Sequence, residues 1–320
     1  MIRLLLMLLF PFCLLAQNGL DEVPNLFKDK QFVLAEQVVK EYLITSPKNI
    51  QAIEYLGDAY GYQKQWDKAI LHYKTLVDSL PNNANYHYKY GGALGMKALS
   101  ISKIKALSLI GGIKESFLKA ASLDPEHIQV RWALVELYMQ LPGIIGGSKS
   151  KSLMFANQLE ALSLVDGYLA KGYIYEYDDA PKEAELYYKK AINIGNDLSC
   201  YNKLTAFYEK QNEPTKAIRN IEEAQAKHKN KRNALHYQIG KVAAQYNLQL
   251  DKGEQCLKNY IENYTPADGV PKAWAYYRLS QIYTHNKNKR MALTYIDLAL
   301  QEIPRKKPFE LQKEKILSLN

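Results

Sequence analysis

The sequence predicts an all-α fold, a right-handed α-solenoid of helix-turn-helix units, and three observations lead there. Glycine and proline return at a fixed spacing: Gly57 recurs as Gly91, and Pro47 as Pro81, each 34 residues on. Self-similarity at a period of roughly 20–50 residues marks a stacked-repeat architecture. Within each period the apolar residues fall three and four apart, as in Leu56, Ala59 and Tyr60 or Ala69, Ile70 and Tyr73, which gives two short amphipathic helices. The composition agrees with a folded helical chain. It is 47% hydrophobic and 23% charged, and 25 Tyr against only 12 Pro excludes a collagen-like or turn-rich all-β chain. One helical pair cannot bury its apolar face alone, so successive pairs must stack into a continuous core.

The elements follow in chain order. Residues 1–16 carry one positive charge, an apolar run from Leu4 to Leu15 and Ala16 before polar Gln17. That is the pattern of a secretory signal peptide cleaved after Ala16, since about twenty apolar residues are needed to span a bilayer. Its removal would take Cys13 and leave Cys200 and Cys256, whose pairing the sequence leaves open. The remainder, 17–320, reads as one solenoid of about eight units. Ala35, Val39, Tyr42 and Pro47 supply the second helix of a degenerate first unit. Regular repeats occupy 50–83 and 165–307, irregular ones about 84–164, and 308–320 forms a capping helix.

Leu56, Gly57, Tyr60, Ala69, Tyr73 and Pro81 resemble the tetratricopeptide repeat. Gly172, Tyr175, Ala184, Tyr188 and Ala191 form a further copy, as do Leu204, Tyr208, Ala217, Ile221 and Ala224. Gly240 opens a weaker one with Gly253 as its small second-helix residue, and Tyr276, Leu279, Tyr283, Ala292, Ile296, Ala299 and Pro304 close the series. Together with the irregular units, the chain resembles exported bacterial tetratricopeptide proteins of undefined activity.

The irregular units carry the individuality. Pro125 follows Pro81 by 44 residues instead of 34, so about ten residues are inserted, with the turn expected at Gly111-Gly112. Gly92 and Gly95 on the first helix of this unit could let the insert or the following loop dock, or could open a ligand pocket. That loop, Gly143 to Ser150, is one residue away from a phosphate-binding pattern, but it lacks the strand before it. It reads as a long turn with Ser148 capping the next helix.

The resemblance implies a concave face built from first helices. By register it would be lined by Glu54, Asp58, Tyr62, Tyr88, Trp132, Glu136, Tyr173, Glu176, Tyr177, Tyr237, Trp274 and Tyr277, with Asn202, Glu209, Lys241 and Gln281 beside them. The set is aromatic and leans acidic. Tyr and Trp offer large contact area at low entropic cost, which favours a protein or peptide segment as partner. The alternative is a glycan or small ligand in an aromatic pocket near Gly92, Gly95 and Trp132.

Other classes are disfavoured. The +9 net charge sits in turn lysines such as Lys287 to Arg290 and not in an aromatic stripe, so nucleic acid is not expected. The clamp that holds chaperone C-termini would need Lys and Asn where Glu54 and Asp58 stand. No two of the six histidines have metal-ligand helical spacing, and Glu222-Glu223 point apart on a helix, so no catalytic set, metal or cofactor is expected. The sequence thus predicts a non-catalytic scaffold of the periplasm or cell envelope, possibly extracellular, with no membrane span after signal cleavage.

Overall fold

The computed structural model of the chain describes residues 20–229 and 232–319, so the segment 1–16, expected from sequence to be an export signal, lies outside the described residues. Among them are seventeen α-helices and no strand. They gather into two compact units, one ending at Leu162 and the other beginning at Ser163. The first unit holds α1 (Val23–Lys28) with α2 (Phe32–Thr45), α3 (Ile50–Tyr62) with α4 (Trp66–Ser79), α5 (Ala84–Ser100) with α6 (Lys103–Leu123), and α7 (Ile128–Gln140) with α8 (Lys149–Leu162). The second holds α9 (Leu164–Tyr177) with α10 (Pro181–Gly195), α11 (Leu198–Lys210) with α12 (Pro214–Lys227), α13 (Arg232–Tyr246) with α14 (Leu250–Glu262), and α15 (Lys272–His285) with α16 (Lys289–Glu302). A last helix, α17 (Lys307–Leu317), caps α15 and α16. In each unit every helix packs on the next in sequence, as a helical-repeat solenoid requires.

Local chemistry sets the ends of these helices. Asn49, Asn83 and Ser163 start α3, α5 and α9 by accepting the backbone N–H of Ala52, Tyr86 and Asp166, which supplies an acceptor for one otherwise orphaned donor each. The tight turns inside hairpins share another device. Lys30, Lys64, Asp179, Asn212 and Lys287 adopt positive φ, and the residue after each donates back to the preceding helix, as in Gln65 N to Tyr60 O at 2.9 Å. This is a Schellman-type stop, made here without glycine.

The hairpins close at one repeated contact. A Cβ added to Gly57 would lie 2.7 Å from the Tyr73 ring, one on Gly91 2.8 Å from Phe117, and one on Gly172 2.6 Å from Tyr188. At Gly240 the partner is Leu257, at 2.2 Å. The first helix therefore contributes a bare backbone patch, and a large second-helix side chain lies across it. The fourth hairpin reverses the sizes. By register Val135 takes the glycine place and Ala156 the ring place, both fully buried, and Ser152 donates to Val135 O at 2.9 Å. Ser152 thus fills the small-residue position that α8 otherwise lacks.

Two expectations for the irregular units are corrected. The insert does lengthen both helices, to 17 and 21 residues, but the turn falls at Ile101-Ser102. Gly111 and Gly112 lie inside α6 because Ser102 starts that helix and an unbroken three- and four-residue apolar rhythm carries through them. Nothing docks on Gly92 or Gly95 either, since an added Cβ at either meets no atom within 4 Å. The loop after α7 does behave as a turn. The N–H groups of Gly146, Gly147 and Ser148 are taken by Gly143, Pro142 and Tyr138 carbonyls, so they are not directed at an anion, and Ser148 Oγ accepts from Lys151 N at 3.3 Å to start α8.

These contacts predict opposite outcomes for two glycines. Gly57→Val forces Tyr73 off its seat and lowers the unfolding free energy by about 1–3 kcal/mol or more. Gly92→Ala, in open space on a helix, raises it by about 0.5–1 kcal/mol. Urea unfolding of both variants checks the pair.

Candidate functional site

The second-helix rings that cross a glycine emerge on the far side of the first helix, and this builds the candidate face. In the first unit Tyr73 Oη donates to Asp58 at 2.6 Å, and Lys89 from the next hairpin reaches Asp58 at 2.8 Å and Glu54 at 2.6 Å. The second unit repeats the arrangement. Tyr188 Oη donates to Glu176 at 2.6 Å, Lys210 of the next hairpin reaches the other Glu176 oxygen at 3.0 Å, and Lys241 reaches Glu209 at 3.0 Å. Lysines one repeat on meet these carboxylates: Glu176 and Glu209 in the second unit have one each, whereas in the first unit Glu54 and Asp58 share Lys89, so that face keeps more acids than lysines. Sequence reasoning missed Lys89, Lys210 and the two phenols. A search for lysine about one period after each acid would have found them, since Lys210 follows Glu176 by 34 residues.

A second ladder runs between hairpins. Glu185 and Glu254, on second helices, accept from Tyr208 Oη at 2.9 Å and Tyr283 Oη at 2.7 Å of the following first helix. Each also holds a lysine four residues on, Lys189 or Lys258. Burial alone would raise the Glu185 carboxyl, but bonds from Lys189, Tyr208 and Lys216 outweigh it and hold it below its ordinary value. Burial, with Glu254 as acceptor, pushes the Tyr283 phenol up to about 12.

The predicted aromatic residues divide by what covers them. Tyr62 stacks on Phe32 with ring centres 4.7 Å apart, yet stays 56% exposed. Tyr177 is 49% exposed beside half-buried Tyr173, at 6.0 Å. Tyr88 is half-buried between Phe117 and His127; burial and then Glu136 push its phenol up. Trp132 is half-buried and Glu136 exposed. Of the C-terminal three, Tyr237 is buried and Trp274 and Tyr277 are half-buried. Tyr237 is buried on Tyr260, while Trp274 and Tyr277 pack edge-on and face-on against Phe309 of the cap. They seat α17, which the register argument could not see because the cap lies outside the repeat.

The expected pocket is also placed differently. An open cleft of about 750 Å³ lies at the N-terminal ends of α5 and α7, lined by Asn82, Asn85, Tyr88, Asp124, Glu126 and His127. Gly92, Gly95 and Trp132 do not line it. Cys200 and Cys256 are buried and form no disulfide among the described residues, and burial raises the Cys200 thiol, which makes it inert. Among the described residues no group of three His, Cys, Asp or Glu side chains could hold a metal ion, and no helix is long and apolar enough to cross a membrane.

Comparison with known proteins agrees with this geometry. The tetratricopeptide repeat family model matches residues 165–195 and 275–305, the α9/α10 and α15/α16 hairpins. A tetratricopeptide repeat protein from Parabacteroides merdae is similar in structure at 13% identity and a TM-score of 0.51, over 95% of this chain and 99% of that one. A thermophilic repeat protein of Thermus thermophilus, TTC0263, is similar at 17% identity and a TM-score of 0.50, over 60% of this chain and 98% of that one. No curated protein matches significantly. The α9/α10 and α15/α16 hairpins are therefore tetratricopeptide repeats, and the chain is consistent with a tetratricopeptide repeat protein in its helical-repeat fold.

The phenol ladder fixes the alkaline behaviour. Burial first, then the facing carboxylates, raise Tyr73 and Tyr188 well above their ordinary value. Burial would lower Lys89, but Asp58 and Glu54 outweigh it and raise it. Above about pH 10 the unfolded chain loses these protons while the folded chain keeps them, so stability falls as pH rises. We expect Tyr73→Phe/Tyr188→Phe to be less stable at pH 8 and to show a shallower loss between pH 10 and 12, measured by urea unfolding across that range.

Proposed function

We propose that this protein is a non-catalytic scaffold of the cell envelope that holds a segment of another protein on its first-helix faces. Repeats of this kind generally serve as protein-interaction scaffolds. The observation that carries the finer reading is the row of uncovered or half-covered rings on those helices: Tyr62, Tyr88 and Trp132 in the first unit, Tyr173 and Tyr177 in the second. Each ring is already held by a neighbouring aromatic or by helix packing, so little entropy is lost when a partner covers it. Lysines offset the carboxylates beside them one for one at Glu176 and Glu209 in the second unit and in part in the first, where Glu54 and Asp58 share Lys89. Such a surface selects a partner by apolar anchors and hydrogen bonds more than by charge.

The experiment is capture from envelope extracts with immobilised wild type, Trp132→Ala/Tyr173→Ala, and Leu71→Ala/Leu186→Ala. The last pair is exposed on second helices, away from the proposed face. The proposal expects a defined protein set that the aromatic variant loses and the second-helix variant keeps. Recovery of the same set by all three defeats it. Residues 1–16 supply the envelope part of the reading: the mature chain recovered from cells should begin at Gln17, and an N-terminus at Met1 from the soluble cell interior would contradict export.

A further inference from the structure

The inserted turns of α5 and α6 do nothing for the stack, and their side chains are unusual. Met96, Leu99, Ile104 and Leu107 are 45%, 73%, 82% and 50% exposed, and they cluster on both sides of the Ile101-Ser102 turn. Ile104 and Leu107, three apart, share one side of α6. A soluble monomer seldom leaves such a group uncovered without a use for it.

The charge around the patch says what would cover it. From Ser79 to Lys114 the chain has no Asp or Glu, and five lysines. Three are engaged: Lys89 by Asp58 and Glu54, Lys97 by Asp67, and Lys114 over the Tyr138 ring. Lys103 and Lys105 are exposed, flank Ile104 and sit in no ion pair among the described residues. Serines 100, 102 and 108 fill the positions between. Large apolar side chains ringed by uncompensated lysines and small hydroxyls match the boundary layer of an anionic bilayer, where apolar groups enter the acyl edge and ammonium groups meet phosphates. A protein partner's apolar pocket would fit the leucines but would not require the absence of acids along the whole segment.

We propose that the extended α5–α6 hairpin docks the protein on an anionic lipid surface through Leu99, Ile104 and Leu107, with Lys103 and Lys105 on the headgroups. The attachment is weak and reversible, because a few side chains enter and no helix spans. Leu99, Ile104 and Leu107 lie around the inserted turn, whereas Met96, 34 residues after Tyr62, keeps a first-helix face position by register.

The test is co-sedimentation of the purified chain, in the form the cell leaves it and with its N-terminus read by mass, with two vesicle types. One is phosphatidylcholine alone; the other contains about one third phosphatidylglycerol. The proposal expects at least tenfold more binding to the anionic vesicles, lost at 0.5 M salt (about a 4 Å screening length). Lys103→Gln/Lys105→Gln should weaken it by roughly fivefold per lysine. Leu99→Ser/Ile104→Ser should abolish it, with unchanged circular dichroism melting, since both residues are exposed. Equal binding to both vesicles, no binding to either, or full binding by the serine variant overturns the proposal. So does a wild-type dimer in light scattering that the serine variant dissociates, because the patch would then be covered by a second copy.

Discussion

Four of the hairpins depend on one steric bargain: a first helix without a side chain at one position, and a second helix with a large side chain there, a ring in three of them. The separation this allows is small enough that Tyr73 passes over Gly57 and delivers its hydroxyl to Asp58 on the other side. Tyr188 does the same over Gly172 to reach Glu176. Packing inside a hairpin thus decides which polar group appears on its exposed face. A close-packed interior leaves no room for a compromise, so where the sizes change they change together, as at Val135 and Ala156.

The second link runs between hairpins. A carboxylate oriented by a phenol is a fixed target, and a lysine of the following repeat meets it. Half-exposed ion pairs contribute little to stability one at a time. Their effect here is on the surface: they offset the charge of Glu176 and part of that of Glu54 and Asp58, which share Lys89. The other Tyr–Glu–Lys ladder, through Glu185 and Glu254, ties neighbouring hairpins on their second-helix side. Together these two ladders explain four of the 25 tyrosines, Tyr73, Tyr188, Tyr208 and Tyr283: phenylalanine would fill the same space but leave part-buried carboxylates short of a donor.

The fold was legible in the sequence because its cause is periodic. Gly57 and Gly91, or Pro47 and Pro81, repeat the same packing demand, and a repeated demand leaves a repeated residue. The site was only half legible for the same reason. Register located the first-helix positions of Tyr62, Tyr173 and Tyr177, but register contains no information about what lies outside the repeat. Hence the contacts that half-buried Trp274 and Tyr277 make with Phe309 of the cap were not foreseen. The acids were read alone because their lysines come from the next repeat, where Lys89 does not sit at the matching position. The turn at Ile101-Ser102 escaped because Gly111-Gly112 looked like a strong breaker, although glycine within a long amphipathic helix costs only about 1 kcal/mol.

The measurement closest to the central claim is a double-mutant cycle at Gly172 and Tyr188, read by urea unfolding. If the ring is there because the glycine is, Gly172→Val should be strongly destabilising alone and much less so in the Tyr188→Ala background, which copies the Val135–Ala156 arrangement. The account predicts a coupling of at least about 1–3 kcal/mol in favour of the pair. Additive losses would show that the two residues are tolerated independently, and would contradict it.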